Sequence, residues 1–138
     1  MRRKPFILLL ALFSLFCVRS YGQGEKIIET IWSSESAHSI GDRDLIAYKA
    51  IWRIYEDRIE WLQPGEKYNY TFQLKNLIGD WDPESLTGKI SAEVVFRGRL
   101  GSIDFVRNSE EAFLKISIQS DEGELFPFRF NISTVGKN

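Results

Sequence analysis

Cysteine and histidine are almost absent from this chain. Its 138 residues include one of each, Cys17 and His38. Cys17 lies in an N-terminal apolar segment that we expect to be removed, which leaves neither a thiol nor a disulfide. A single histidine without cysteine also makes a transition-metal site unexpected. The remaining chain must therefore be stable through its hydrophobic core.

The residues that serve nucleophilic catalysis are also sparse. His38 lies in a segment rich in serine and glutamate, residues 33–39, but the chain has no Gly-x-Ser-x-Gly turn. We therefore expect His38 to be a solvated loop residue. Two carboxylates could still act as acid and base, as in glycoside hydrolysis. No spacing selects a pair among the candidates Glu56, Asp57, Glu60, Asp104, Glu110 and Glu111.

Basic clusters are missing, and the formal net charge is −1. Removal of residues 1–22 takes away four basic side chains and no acidic one, so the exported chain becomes more acidic. The four are Arg2, Arg3, Lys4 and Arg19. An acidic surface disfavours nucleic acid and anionic lipid as partners. We expect no nucleic-acid partner.

The longest apolar run, Ile7–Val18, lies near the N-terminus. It follows a basic start and precedes the small residues Ser20 and Gly22, a layout typical of a secretory signal peptide over residues 1–22. As a helix the run would span about 18 Å, short of the ~30 Å that a membrane span needs. We expect residues 23–138 to form a single exported domain, periplasmic or extracellular, without a transmembrane segment.

Alternation of apolar and polar residues dominates the exported part. Each alternating run predicts a strand with one buried and one wetted face, and the runs are 68–75, 89–97, 102–107, 114–119 and 125–132. The turns between them are short, which favours antiparallel neighbours because a parallel crossover needs about a dozen residues or more. This pattern predicts a meander from Lys67 onward, broken by a loop at Asn76–Gly88.

The segment Leu45–Leu62 fits two structures. It could form a hairpin that turns at Glu56-Asp57, or a helix with Ile51, Tyr55, Ile59 and Leu62 on one side. Its β-branched and aromatic residues favour the hairpin. Before it, Lys26–Trp32 is predicted to be a strand and Ser33–Arg43 a loop.

These elements predict an all-β fold of about eight strands. The chain would be a single antiparallel meander, forming either a small up-and-down barrel, lipocalin-like in outline, or a two-sheet sandwich. Closure favours the barrel because it removes exposed strand edges, although Pro127 in the last strand indicates an edge or a bulge. The Trp- and Tyr-rich meander resembles lipocalin-like and other small envelope domains, but no diagnostic motif is present and no residue role follows.

The inward positions of the predicted strands are rich in aromatic residues. These rings could line a cavity for an apolar small molecule, and the candidates are Tyr68, Tyr70, Phe96 and Phe128. Alternatively the rings fill the interior, since each buries about 150–250 Å².

The predicted hairpin is apolar on both faces, so each face needs a cover. The loop Ser33–Arg43 could supply one, or a protein partner of the cell envelope could dock there. The interface candidates are Ile51, Tyr55 and Trp61.

Asp80, Asp82 and Glu84 alternate in the predicted loop, a spacing that suits calcium. Counted from Asp80, however, Ser85 stands where an EF-hand has glycine, and Asp-Pro commonly begins a metal-free turn. Trp81 in the same segment either caps the core or is an exposed contact. No other cofactor is indicated.

The function that fits these features best is a small secreted or periplasmic binding module without catalytic activity. It would take an apolar small molecule or a partner protein. The alternatives are an accessory subunit of an envelope complex and a hydrolase or isomerase with carboxylates in a barrel mouth.

Overall fold

The computed structural model describes residues 27–39, 45–63, 69–120, 123–125 and 128–137. They form nine strands: β1 Thr30–Ser39, β2 Ile46–Ile54, β3 Arg58–Leu62, β4 Asn69–Asp82, β5 Thr87–Phe96, β6 Arg99–Arg107, β7 Ala112–Ser120, β8 Gly123–Leu125 and β9 Phe128–Lys137. Within these ranges no helix is long and apolar enough to cross a membrane.

The strands form one antiparallel meander that closes into an eight-stranded barrel. Each strand from β1 to β7 pairs with the next along the chain, and β1 pairs with β9 to close the circle. β8 and β9 both pair with β7, so together they serve as the eighth strand. The predicted all-β meander is confirmed, and the barrel is the form it takes. Pro127 lies outside the described residues.

Leu45–Leu62 contains the predicted hairpin and not the helix. β2 and β3 pair with Trp52 opposite Trp61 and Ile54 opposite Ile59. The backbone N–H of Tyr55 donates to the carbonyl of Arg58 at 2.8 Å, which closes the turn. Cross-strand pairing of aromatic and β-branched side chains stabilises a hairpin of this kind.

β1 extends further than predicted. The polar segment expected to be a loop continues the strand as far as Ser39, so the loop prediction for residues 33–39 is wrong. β2 and β9 pair with β1 on its two sides, and a β-bulge between Ser34 and Ser36 shifts the alternation. Main-chain pairing on both sides holds the segment extended despite its polar side chains. Residues 40–44 lie outside the described residues.

The predicted loop Asn76–Gly88 is also largely strand. β4 continues to Asp82, and only a short turn separates it from β5. A bulge between Leu74 and Asn76 moves the inward positions from even to odd numbers, so the even-numbered alternation in the sequence ends there although the strand continues. Gly79 lies on this second half with φ +128°, and a Cβ atom at that position would collide with the backbone oxygen of Lys89.

The barrel interior holds the hydrophobic core, and most of the residues predicted to point inward are confirmed to do so. Predicted inward residues that are buried include Phe72, Ile90, Ala92, Val94, Phe96, Ile103, Phe105, Leu114, Ile116, Ile118 and Phe130.

We name the two ends of the barrel by residues that lie there. The Ile27 end holds residues 27–29 and the turns after β2, β4 and β6, and the Tyr48 end holds the starts of β2, β4 and β9.

Candidate functional site

The Ile27 end of the barrel is closed by the segment that precedes β1. The side chain of Ile27 is 0% exposed. The Thr30 hydroxyl donates to the Ile27 carbonyl at 2.6 Å, and the Glu29 N–H donates to the Ile54 carbonyl at 2.7 Å. These bonds fasten Ile27 across the end of the core.

Three buried rings lie directly inside this end. Trp32 contacts Trp81 with ring centroids 5.5 Å apart and Phe105 at 5.2 Å. The Trp32 indole N–H donates to the Thr30 hydroxyl at 3.0 Å, so the ring is tied to the same closing segment. Trp81 therefore caps the core and is not an exposed contact.

The other rings form a second, larger aromatic group towards the Tyr48 end. Its buried members are Trp52, Trp61, Phe72, Phe96 and Phe130. Tyr48, Tyr70 and Phe128 are half-buried and lie near the strand ends. Tyr48 contacts Phe130 at 5.6 Å, and Tyr70 contacts Trp61 at 4.9 Å. The three half-buried rings therefore connect this end of the barrel to the buried ones beneath.

Three of the four predicted cavity residues come together in this group. Tyr70 and Phe96 are 6.0 Å apart, and Phe128 is linked to them through Phe130 and Trp61. Tyr68 lies outside the described residues. The sequence prediction missed Tyr48, although its even-numbered parity with Trp52 on β2 was a usable signal.

The interior offers little polarity to a ligand. Among the residues described, the buried polar ones are Thr30 and Ser34, and no carboxylate is buried. The candidate catalytic carboxylates are exposed or half-buried, and Glu56 and Asp57 lie at the exposed β2–β3 turn. The carboxylate enzyme therefore has no supporting geometry in this part of the chain.

An open groove of about 510 Å³ lies at the outer edge of the Ile27 end. It is lined by Ile28, Glu29, Tyr55, Glu56, Asp57 and Arg58. The Arg58 guanidinium forms ion pairs of 2.9 Å with Asp57 and Glu60. The hydrogen bond to Glu60, and to a smaller extent the one to Asp57, raises the pKa of Arg58 above its ordinary value.

The interface candidates do not share one face. Trp61 is 3% exposed and stacks inside the barrel on Trp52 at 4.8 Å, so the interface prediction is wrong for Trp61. Ile51 and Tyr55 have the opposite parity to Trp52 and point outward, because side chains alternate along a strand. Both are half-buried, and Arg58 lies over the Tyr55 ring at 4.1 Å. For these two, docking stays a prediction.

The calcium candidates lie at the end of β4 and in the following turn. Asp80, Asp82 and Glu84 are exposed, and the Glu84 N–H donates to the Asp82 carboxylate at 2.9 Å. That hydrogen bond belongs to a turn that needs no metal. Across the described ranges no group of three or more metal-ligating side chains converges. Calcium therefore gains no support here.

His38 is part of β1 and is half-buried, so the prediction of a solvated loop residue is wrong. Its Nδ1 atom is buried and has no hydrogen-bond partner within the described chain.

The fold and the interior define a class, an eight-stranded up-and-down barrel with an aromatic core. Comparison with protein-family models, curated proteins and solved structures found no match for this chain.

Proposed function

We propose that this protein is an exported, non-enzymatic binding protein whose barrel takes an uncharged apolar small molecule at the Tyr48 end. The observation that carries the proposal is the difference between the two ends. Two hydrogen bonds hold residues 27–30 across one end, whereas the other end presents the half-buried rings of Tyr48, Tyr70 and Phe128. Entry is therefore expected at the Tyr48 end.

Ring chemistry supports an apolar ligand. The half-buried rings contact fully buried ones, so a molecule that enters between them exchanges water for aromatic surface on several sides. Burial of apolar surface contributes about 25 cal/mol per Å². A few polar groups among predominantly apolar and aromatic walls are typical of small-molecule sites.

The polarity of the interior supports an uncharged ligand. The described part of the core buries no charged side chain, and its buried polar residues are Thr30 and Ser34. A charged group transferred there would lose its hydration without gaining an ion pair, which is strongly unfavourable. Export is supported by the signal-peptide pattern of residues 1–22.

A pair of fluorescent probes tests this proposal. N-phenylnaphthylamine is neutral, and anilinonaphthalene sulfonate has the same ring system with an added negative charge. We expect the folded domain to bind the neutral probe at least about tenfold more tightly, a difference of ~1.4 kcal/mol. Absence of saturable binding of the neutral probe would refute the proposal.

A charge placed at the Tyr48 end locates the site. Tyr70→Lys puts an ammonium group among the inward rings, whereas Thr71→Lys puts the same group on the exposed outer side of β4. The first variant should lose most of the neutral-probe affinity and the second should keep it. Equal behaviour of the two variants would place binding outside the barrel.

A second candidate function is docking of an envelope protein on the outer face of β2 and β3. The observation in its favour is that Ile51 lies directly opposite Leu62 there, both outward and half-buried. A photo-crosslinking residue at position 51 should give one discrete adduct in the native envelope, and the same residue at exposed position 89 should not. Identical adducts from both positions would contradict docking.

A further inference from the structure

The Trp52 side chain contains a hydrogen-bond donor that the structure leaves unused. Trp52 is 0% exposed, and its indole Nε1 is buried without a hydrogen-bond partner within the described chain. The ring stacks on Trp61 at 4.8 Å and meets the edge of Phe130 at 5.1 Å. An indole N–H can only donate, so this group needs an acceptor from elsewhere.

The buried polar side chains are committed to other partners. The Thr30 hydroxyl accepts from Trp32 at 3.0 Å and donates to the Ile27 carbonyl. The Ser34 hydroxyl donates to the Tyr48 carbonyl at 3.4 Å. The Trp32 indole donates to Thr30, which shows that the barrel can satisfy a buried indole donor, whereas the Trp52 donor has no partner within the described chain.

The place of Trp52 makes the unused donor informative. Trp52 belongs to the aromatic group of the Tyr48 end, through its contacts with Trp61 and Phe130, and both of these also contact Tyr48. A molecule that enters beside Tyr48 would reach Trp52 past Trp61 and Phe130, the two rings that contact both Tyr48 and Trp52. Buried donors are rarely left unpaired in native proteins, so an acceptor for this one is expected from outside the described residues.

We propose that the Trp52 indole N–H donates a hydrogen bond to a carbonyl oxygen of the bound molecule. The ligand class is then an apolar, uncharged compound that carries a carbonyl group. This inference rests on the proposed function, which supplies the site and its polarity, and it adds the feature by which the site selects among apolar molecules.

Fluorenone and fluorene form a matched test pair, since they share a ring skeleton and differ in a carbonyl against a methylene group. We expect the wild-type protein to bind fluorenone about tenfold more tightly than fluorene, the equivalent of ~1.4 kcal/mol. Trp52→Phe keeps an aromatic ring but lacks the donor. In that variant the ratio of the fluorenone affinity to the fluorene affinity should fall to about one, whatever loss of ring contact the two compounds share.

Trp81→Phe is the control variant. The Trp81 indole is also buried without a hydrogen-bond partner in the described structure, but it lies with Trp32 near the Ile27 end. Trp81→Phe should keep the tenfold preference. Equal loss of preference in both variants, or a preference that survives Trp52→Phe, would overturn the role of Trp52.

A measurement on the wild-type protein guards against a variant that does not fold. In a proton–nitrogen correlation NMR spectrum of the ¹⁵N-labelled protein, the resonance of the Trp52 indole N–H proton should move downfield when fluorenone is added. Fluorene should not cause this downfield shift. Binding of both compounds without that shift would refute the carbonyl contact and leave the proposed function standing. Failure of both compounds to bind would refute the two together.

Discussion

Replacement of Phe130 tests the packing on which the proposed site depends. Phe130 is 1% exposed and contacts four rings, those of Tyr48, Trp52, Trp61 and Phe128, at centroid distances of 5.6, 5.1, 5.2 and 6.4 Å. A phenylalanine buries ~150–250 Å², at about 25 cal/mol per Å². Together with the cavity left behind, Phe130→Ala should lower the free energy of unfolding by about 3–5 kcal/mol.

Phe128 provides the comparison on the same strand. It has the same inward parity as Phe130 but is half-buried and contacts Phe130 from outside at 6.4 Å. Phe128→Ala removes the same atoms from a partly wet position and should lower the free energy of unfolding by about 1–2 kcal/mol.

Urea titration followed by far-ultraviolet circular dichroism measures both losses. Tryptophan fluorescence is less suitable because Phe130 contacts two indole rings. A domain of this size has about 5–15 kcal/mol of stability, so either loss should move the midpoint of unfolding to a measurably lower urea concentration. Equal losses in the two variants would refute the assignment of Phe130 to the buried layer and Phe128 to the rim.

Three further predictions concern the backbone, the closing segment and export. Gly79→Ala places a Cβ atom against the neighbouring strand at φ +128° and should lower the free energy of unfolding by about 1–3 kcal/mol. Gly98→Ala should lower it less, because a Cβ atom at that position meets open space. Urea titration measures both losses, and equal losses would contradict the clash at Gly79. Thr30→Val removes the hydroxyl that bonds to the Ile27 carbonyl and should lower the free energy of unfolding by about 1–3 kcal/mol. It should also raise the rate of amide hydrogen exchange in residues 27–30. An unchanged exchange rate would contradict the closing role of this segment. N-terminal sequencing of the exported protein should begin at Gln23, and an uncleaved N-terminus would refute the signal peptide.

The sequence predicts the fold well where alternation is uninterrupted. β5 and β7 have no bulge in their pairing with β6, so every second residue faces the same side, and Ile90, Ala92, Val94 and Phe96 all point inward. Prediction fails at β4 and β1, where a bulge inserts one residue and reverses the parity. Bulges leave little trace in a hydrophobicity pattern, because they depend on pairing with a partner strand.

The candidate site was predictable in part for the same reason. Tyr70 and Phe96 follow the alternation and contact each other, and Phe128 follows it and contacts Phe130 at the same end of the barrel. Trp61 is an interface candidate in the sequence because the hairpin is apolar on both sides, and only the closure of the barrel decides which side is inside. The unused donor of Trp52 depends on what surrounds the ring in three dimensions, and no sequence pattern reports it.

Stability measurements can show whether the Trp52 donor is reserved for a ligand. Trp32 and Trp52 are both 0% exposed, so Trp→Phe removes the same atoms from equally buried positions. Trp32→Phe also breaks the hydrogen bond to Thr30, whereas Trp52→Phe removes a donor that has no partner in the described residues. In the absence of ligand, Trp52→Phe should therefore cost about 1–3 kcal/mol less than Trp32→Phe. Equal costs in a urea titration would mean that the Trp52 indole already has a partner and has no free donor for a ligand carbonyl.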